Sequence, residues 1–123
     1  MNSTLSEMAL VGAGGAVGAM LRYGVALVVT RLSGPSFVAT LAVNVVGCFC
    51  MGVLLAGPGA LGSGRARLLL GTGVLGGFTT FSTFAADTDA LAAGHGARAA
   101  AYVLASILGG IGAFFMGRSL GGA

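Results

Sequence analysis

Apolar residues gather along this chain in four long blocks, Met8 to Leu32, Phe37 to Ala56, Leu68 to Ala86 and Ala97 to Met116. Each is close to the about 20 residues that carry an α-helix across the hydrocarbon of a bilayer. The separators hold turn and interface residues: Ser33-Gly34-Pro35-Ser36, then Gly57-Pro58-Gly59 through Arg67, then Asp87 to Gly96. The pattern predicts an all-α membrane protein with four transmembrane helices, approximately 8–32, 37–56, 68–86 and 97–116, in one integral membrane domain over residues 1–123. The first charged residue is Glu7, no basic leader precedes the apolar run, and Arg22 interrupts it. The first block is therefore expected to stay as a membrane helix rather than leave as a signal peptide.

The third block breaks the pattern from within. Gly76-Gly77-Phe78-Thr79-Thr80-Phe81-Ser82-Thr83-Phe84 packs two adjacent glycines, four hydroxyl side chains and three phenylalanines into the middle of an apolar segment. Glycine weakens a helix, and backbone groups exposed to hydrocarbon find no partner. Such a run is tolerated at membrane depth where protein covers it or where it lines a polar path. We expect a third helix broken near Gly76-Gly77, beside a permeation route.

Composition strengthens the membrane reading. Of the 123 residues, 56% are hydrophobic and 7% charged, and the mean hydropathy is +1.00. A soluble domain would carry about a quarter charged residues. The net charge of +3 comes from six basic residues, all arginines, spread along the chain. Nucleic-acid binding would need those charges on one face. If all four blocks span, Arg65, Arg67 and Arg118 lie on one side, while Arg31 and Arg98 lie on the other with Arg22 near that end. Orientation follows an excess of Lys and Arg on one side, and here the tally is nearly balanced. Insertion in both directions, and with it an antiparallel pair, is the expectation; direction fixed by other cellular factors is the open alternative. Size points the same way, because four short helices from one chain hardly enclose a lined path. Among the 24 glycines, Gly14-x-x-x-Gly18 and Gly73-x-x-x-Gly77 have the spacing that permits close helix contact.

Few polar groups lie inside the blocks: Arg22, Thr40, Asn44, Thr72, the Thr79-to-Thr83 group, Tyr102 and Ser106. Thr40 and Asn44 share a helical face, as do Tyr102 and Ser106, and Phe81 and Phe84 project together. An amide at mid-span must find partners. Asn44 either bonds another helix, which the residue alone favours, or offers its two N–H donors to an anion. Arg22 either snorkels to the nearer surface or draws anions into a vestibule. Asp87 and Asp89 follow the third block and are expected in solvent. Cys48 and Cys50, two apart, sit on different helical faces and read as packing residues, while His95 is the only histidine and falls in a connector. No acidic residue falls within any of the four blocks, and no Walker loop, metal cluster or nucleophilic grouping occurs. Proton-coupled exchange, ATP-driven pumping and enzymatic chemistry therefore lack their usual equipment. A passive path with neutral donors remains.

Three motifs then form a recognisable set: Gly14-Gly15-x-x-Gly18-Ala19-x-x-Arg22-Tyr23, Thr40-x-x-x-Asn44-x-x-Gly47, and the run Gly76 to Phe84. Together with length and four spans they resemble the CrcB/Fluc family of fluoride channels over essentially the whole chain. The third motif is the most specific. The resemblance implies an antiparallel, dual-topology homodimer with two fluoride pathways. It implies that Phe81 and Phe84 are pore phenylalanines and that Asn44 supplies an amide beside them. Thr40, Ser82, Thr83, Tyr102 and Ser106 would line the polar track, and Arg22 a vestibule. Backbone carbonyls of Gly76 and Thr79 from both chains would hold a structural sodium ion at the two-fold axis. One departure stands out: a turn beyond Ser106 comes Gly110, where the family often presents another hydroxyl.

The sequence thus leads to a fluoride-selective passive channel in a prokaryotic inner membrane, multi-pass, exporting fluoride and conferring fluoride resistance, with fluoride, the bilayer and a second copy of itself as partners. The rivals are a small dual-topology multidrug exporter, which would need a membrane carboxylate, and a non-transporting assembly subunit.

Overall fold

A computed structural model describes residues 2–57 and 63–123. The elements are α1 (Ser3–Arg31), α2 (Ser36–Ala56), α3 (Gly64–Ala66), a π-helical stretch (Arg67–Leu75), α4 (Gly76–Phe78), α5 (Phe81–Gly94) and α6 (Gly96–Gly121). Every element among the described residues is helical. Four crossings are long and apolar enough to span a membrane: Ser3–Arg31, Ser36–Ala56, Gly64–Gly94 and Gly96–Gly121. Pro58 and Gly59 of the second connector lie outside the described residues.

The turn between α1 and α2 shows how short connectors are built here. The N–H groups of Leu32, Ser33 and Gly34 return to the carbonyls of Val28, Thr30 and Val29, satisfying the last acceptors of α1. Ser33 takes the left-handed conformation, φ 58°, which costs any residue with a Cβ.

Helix contact relies on missing side chains. The two glycine seams of α1 and the third crossing pack on each other within one chain. A Cβ at Gly14 would meet the carbonyl oxygen of Leu69, at Gly18 the carbonyl oxygen of Val74, and at Gly77 that of Gly15. A second seam, which sequence reasoning missed, joins α2 to α6, where a Cβ at Gly52 would meet the Phe114 carbonyl and one at Gly117 the Phe49 carbonyl. The buried apolar residues are Ala39, Val43, Leu54, Ala99, Tyr102 and Ala113. Half of these are alanine, as expected where lipid is as apolar as leucine and close backbone approach drives association. Many large side chains face outward; Met20, Leu108 and Phe115 are exposed.

The break in the third crossing falls later than the sequence predicts. Gly76 and Gly77 are wound in helix, and the chain opens at Thr79 and Thr80, both extended. Gly77 serves helix packing instead, lying against Gly15, whereas a Cβ at Gly76 would touch only the Gly71 carbonyl of its own helix at 3.7 Å. Just before the break the helix is wide: the Gly76 N–H reaches back to the Gly71 carbonyl as well as to Gly73. Such π-type turns cluster at functional sites. After the break the chain stays helical through Gly94. Asp87 and Asp89 therefore lie on α5, not in a connector beyond the third crossing.

Candidate functional site

Asn44 projects from α2 onto the break. Its Nδ2 donates to the Thr80 carbonyl at 3.0 Å, and its Oδ1 accepts the Thr80 N–H at 2.8 Å. The amide thus pairs with both polar groups of one extended residue, as a neighbouring strand would. This arrangement also fixes which end of the amide carries oxygen. Of the two readings the sequence left open, the structure displays the interhelical bond, while the second amide hydrogen stays uncommitted.

Thr80 is buried and begins α5 as its N-cap. Its Oγ1 accepts the Thr83 N–H at 3.2 Å, donates to Thr83 Oγ1 at 3.1 Å, and lies 3.3 Å from Ser82 Oγ. A side-chain oxygen at this position satisfies a donor left over at the helix start. Thr79 Oγ1 donates to the Leu75 carbonyl at 2.9 Å. The hydroxyl run that looked unsuited to a helix thus closes one helix and opens the next.

Beyond the break an aromatic ladder leads away. Phe81 and Phe84 have ring centroids 5.4 Å apart, Phe84 and Tyr102 5.3 Å, and Tyr102 and Phe37 5.5 Å. These spacings suit tilted and edge-on ring contacts. Phe81, at the exposed end, is 80% accessible on the single chain. Phe37 went unnoticed in the sequence; its position one turn before Leu41 on α2 carried no polar signal.

Asp87 is the larger surprise. Its carboxylate gathers three hydroxyls: Thr40 Oγ1 donates to Oδ2 at 2.6 Å, Tyr102 OH to Oδ2 at 3.4 Å, and Ser36 Oγ to Oδ1 at 3.3 Å. The expectation that Asp87 sits in solvent is corrected: it is half-buried between α2 and α6. The reason is that α5 continues as helix past Ala86, which places Asp87 one turn beyond Phe84 on the same face. Ser36 and Thr40 are themselves one turn apart on α2. That pair of spacings was the available signal.

Two further groups complete the surroundings. Ser106 Oγ is buried, and no group among the described residues bonds it. Arg22 is half-buried and lines a cavity of about 320 Å³ with Thr40, Thr80 and Thr83. Gly110 is buried against α2, where a Cβ would touch Cys48 Sγ at 3.4 Å. The structure therefore brings Arg22, Thr40, Asn44, Phe81, Ser82, Thr83, Phe84 and Tyr102 around the start of α5, with Ser106 a turn along α6. Cys48 and Cys50 are free thiols.

The carbonyls of Gly76 and Thr79 lie at the end of the broken helix. In a continuing helix they would accept from the N–H groups of Thr80 and Thr83. Those donors are taken by Asn44 Oδ1 and Thr80 Oγ1. No group among the described residues donates to either carbonyl.

Comparison with known proteins agrees with this architecture. The family profile described as "CrcB-like protein, Camphor Resistance (CrcB)" matches residues 9–118. A protein of Agrobacterium fabrum named "Fluoride-specific ion channel FluC" is 48% identical over 94% of this chain and 95% of its own length. Proteins of the same name from Thermus thermophilus and Novosphingobium aromaticivorans are 46% and 41% identical, covering 93% and 94% of this chain and 94% and 96% of their own lengths. Four apolar crossings and a match over nearly the whole chain lead to one conclusion: this multi-pass membrane protein belongs to the CrcB family.

Proposed function

We propose that this protein is a fluoride-selective passive channel, working as an antiparallel dual-topology homodimer that lets fluoride leave the cytoplasm down its electrochemical gradient and so confers resistance. The observation that carries the reading is the ladder of rings Phe81, Phe84 and Tyr102 leading from the hydroxyls at the start of α5 toward Ser106, whose buried Oγ has no partner among the described residues; the Thr40 and Tyr102 hydroxyls on that route are given to Asp87. A buried hydroxyl without an acceptor costs about 1–3 kcal/mol, and a small anion passing along α6 would relieve that cost. Ring edges carry partial positive charge. They meet an anion without supplying a full cation that would trap it, and several modest contacts keep an ion moving. Arg22, on the cavity that reaches Thr40 and Thr83, would raise the local anion concentration at the entrance. Relatives named for fluoride channels supply the identity of the ion.

A second copy would cover what one chain leaves bare. Phe81 is a large aromatic ring exposed beside a helix break, and the arginine tally permits both orientations. Sodium fits the donor set at that break. The Gly76 and Thr79 carbonyls are oxygen ligands without competing donors, and hard cations take oxygen ligands. Two opposed copies would present four such oxygens. The ion would supply positive charge that draws two negative helix ends together.

Reconstituted protein should release fluoride from liposomes and retain chloride. Folded protein that conducts no fluoride rejects the reading. The multidrug exporter gains one point from the structure, because Asp87 lies on a membrane helix. That carboxylate is occupied by three hydroxyls level with the first turn of α2. Proton-driven uptake of an organic cation by the same vesicles would favour the exporter.

A further inference from the structure

We infer that Asn44 is a positioning residue that holds the break of the third crossing open and thereby sets the carbonyls of Gly76 and Thr79 for a cation; the cation half of this inference rests on the sodium reading proposed above. Thr80 is extended, φ −154° and ψ 123°, and only in an extended residue do the N–H and C=O point to the same side. Asn44 engages both, at 2.8 Å and 3.0 Å. In a helix the two groups point to opposite ends of the axis, so winding Thr80 into helix forfeits at least one of these bonds. The pair therefore opposes continuation of α4 into α5.

The consequence lies on the neighbouring carbonyls. With the Thr80 N–H given to Asn44, the Gly76 carbonyl loses its helical donor, and the Thr80 side chain takes the Thr83 N–H from the Thr79 carbonyl. Closure of the break would return both donors and cancel both ligands. One turn along the same face of α2, Gly47 leaves room for the Thr79 side chain: a Cβ there would collide with Thr79 Cγ2. Asn44 thus acts on a cation through Thr80, without touching it.

The test compares wild type and Asn44→Ala in detergent, following the rise of melting temperature with sodium against an equal concentration of N-methylglucamine. Losing two bonds to a buried peptide should raise the sodium concentration for half-maximal stabilisation by about tenfold or more, with helical content by circular dichroism unchanged. An unchanged sodium response in Asn44→Ala overturns the inference, as does a wild type that ignores sodium. Should Asn44→Ala fail to fold, the wild type decides by amide exchange. The clamp requires the Thr80 N–H to exchange at least about tenfold more slowly than the N–H of Ser3, exposed at the start of α1, each rate taken relative to its intrinsic value. Equal protection overturns it. Neither readout uses fluoride, so a failure here and a failure of the channel reading are told apart by the liposome efflux assay on wild type.

Discussion

Asp87 carries one of the chain's three acidic groups, and its carboxylate holds α2 and α6 together at one end of the bundle through Ser36, Thr40 and Tyr102. Replacing it with alanine leaves the buried hydroxyls of Thr40 and Tyr102 without their acceptor. Asp87→Ala should lower stability by about 1–3 kcal/mol, measured as a fall in the thermal midpoint in detergent. An unchanged midpoint would mean that the three contacts contribute nothing. Phe81 and Phe84 carry a different expectation. Isoleucine keeps apolar bulk and removes the ring edge, so Phe81→Ile and Phe84→Ile should each reduce fluoride efflux by about tenfold or more while preserving folding. Full flux in both variants would remove the rings from the pathway.

At the scale of elements, the decisive quantity is how closely backbones approach. Gly18 on α1 lies where a Cβ would strike the Val74 carbonyl and the Phe78 N–H, whereas a Cβ at Gly12 on the same helix meets nothing within 4 Å. Gly18→Val should therefore separate α1 from the third crossing and fail to give folded protein. Gly12→Val should behave as wild type in folding, since its side chain meets no other helix of the chain. Elution as a single species in detergent, with the thermal midpoint, reads both. Equal behaviour of the two variants would show that the seam does not hold these helices. The break obeys the same logic: Gly47 gives room to Thr79, and Asn44, one turn earlier, occupies the Thr80 peptide.

For the whole molecule, the proposed opposed pair makes a labelling prediction. In a chain with Cys48→Ala and Cys50→Ala, a single Gly122→Cys beyond α6 should be modified from both faces of the cell membrane by an impermeant thiol reagent, about half the population from each, because the arginines give insertion almost no bias. Labelling from one face alone rejects dual topology for this chain. The exposed apolar surface of α1, with Met20 and Leu21, and of α6, with Leu108 and Phe115, is divided between lipid and any such partner.

Much of this was legible from the residues in order. Four apolar blocks predicted four crossings, because length and hydropathy are local quantities and the bilayer sets the required span. The Gly76-to-Phe84 run marked the place of the break and of the candidate site, since glycines and hydroxyls are costly in lipid. The tertiary structure decided what those residues do to one another. It moved the opening from Gly76-Gly77 to Thr79-Thr80, because Gly77 is needed where α1 presses against the third crossing and Asn44 reaches only the later peptide. It likewise drew Asp87 into the bundle, where its partners come from residues 51, 47 and 15 positions away along the chain. Hydropathy is written residue by residue; the pairing of an amide with a distant peptide depends on which helices come to lie side by side.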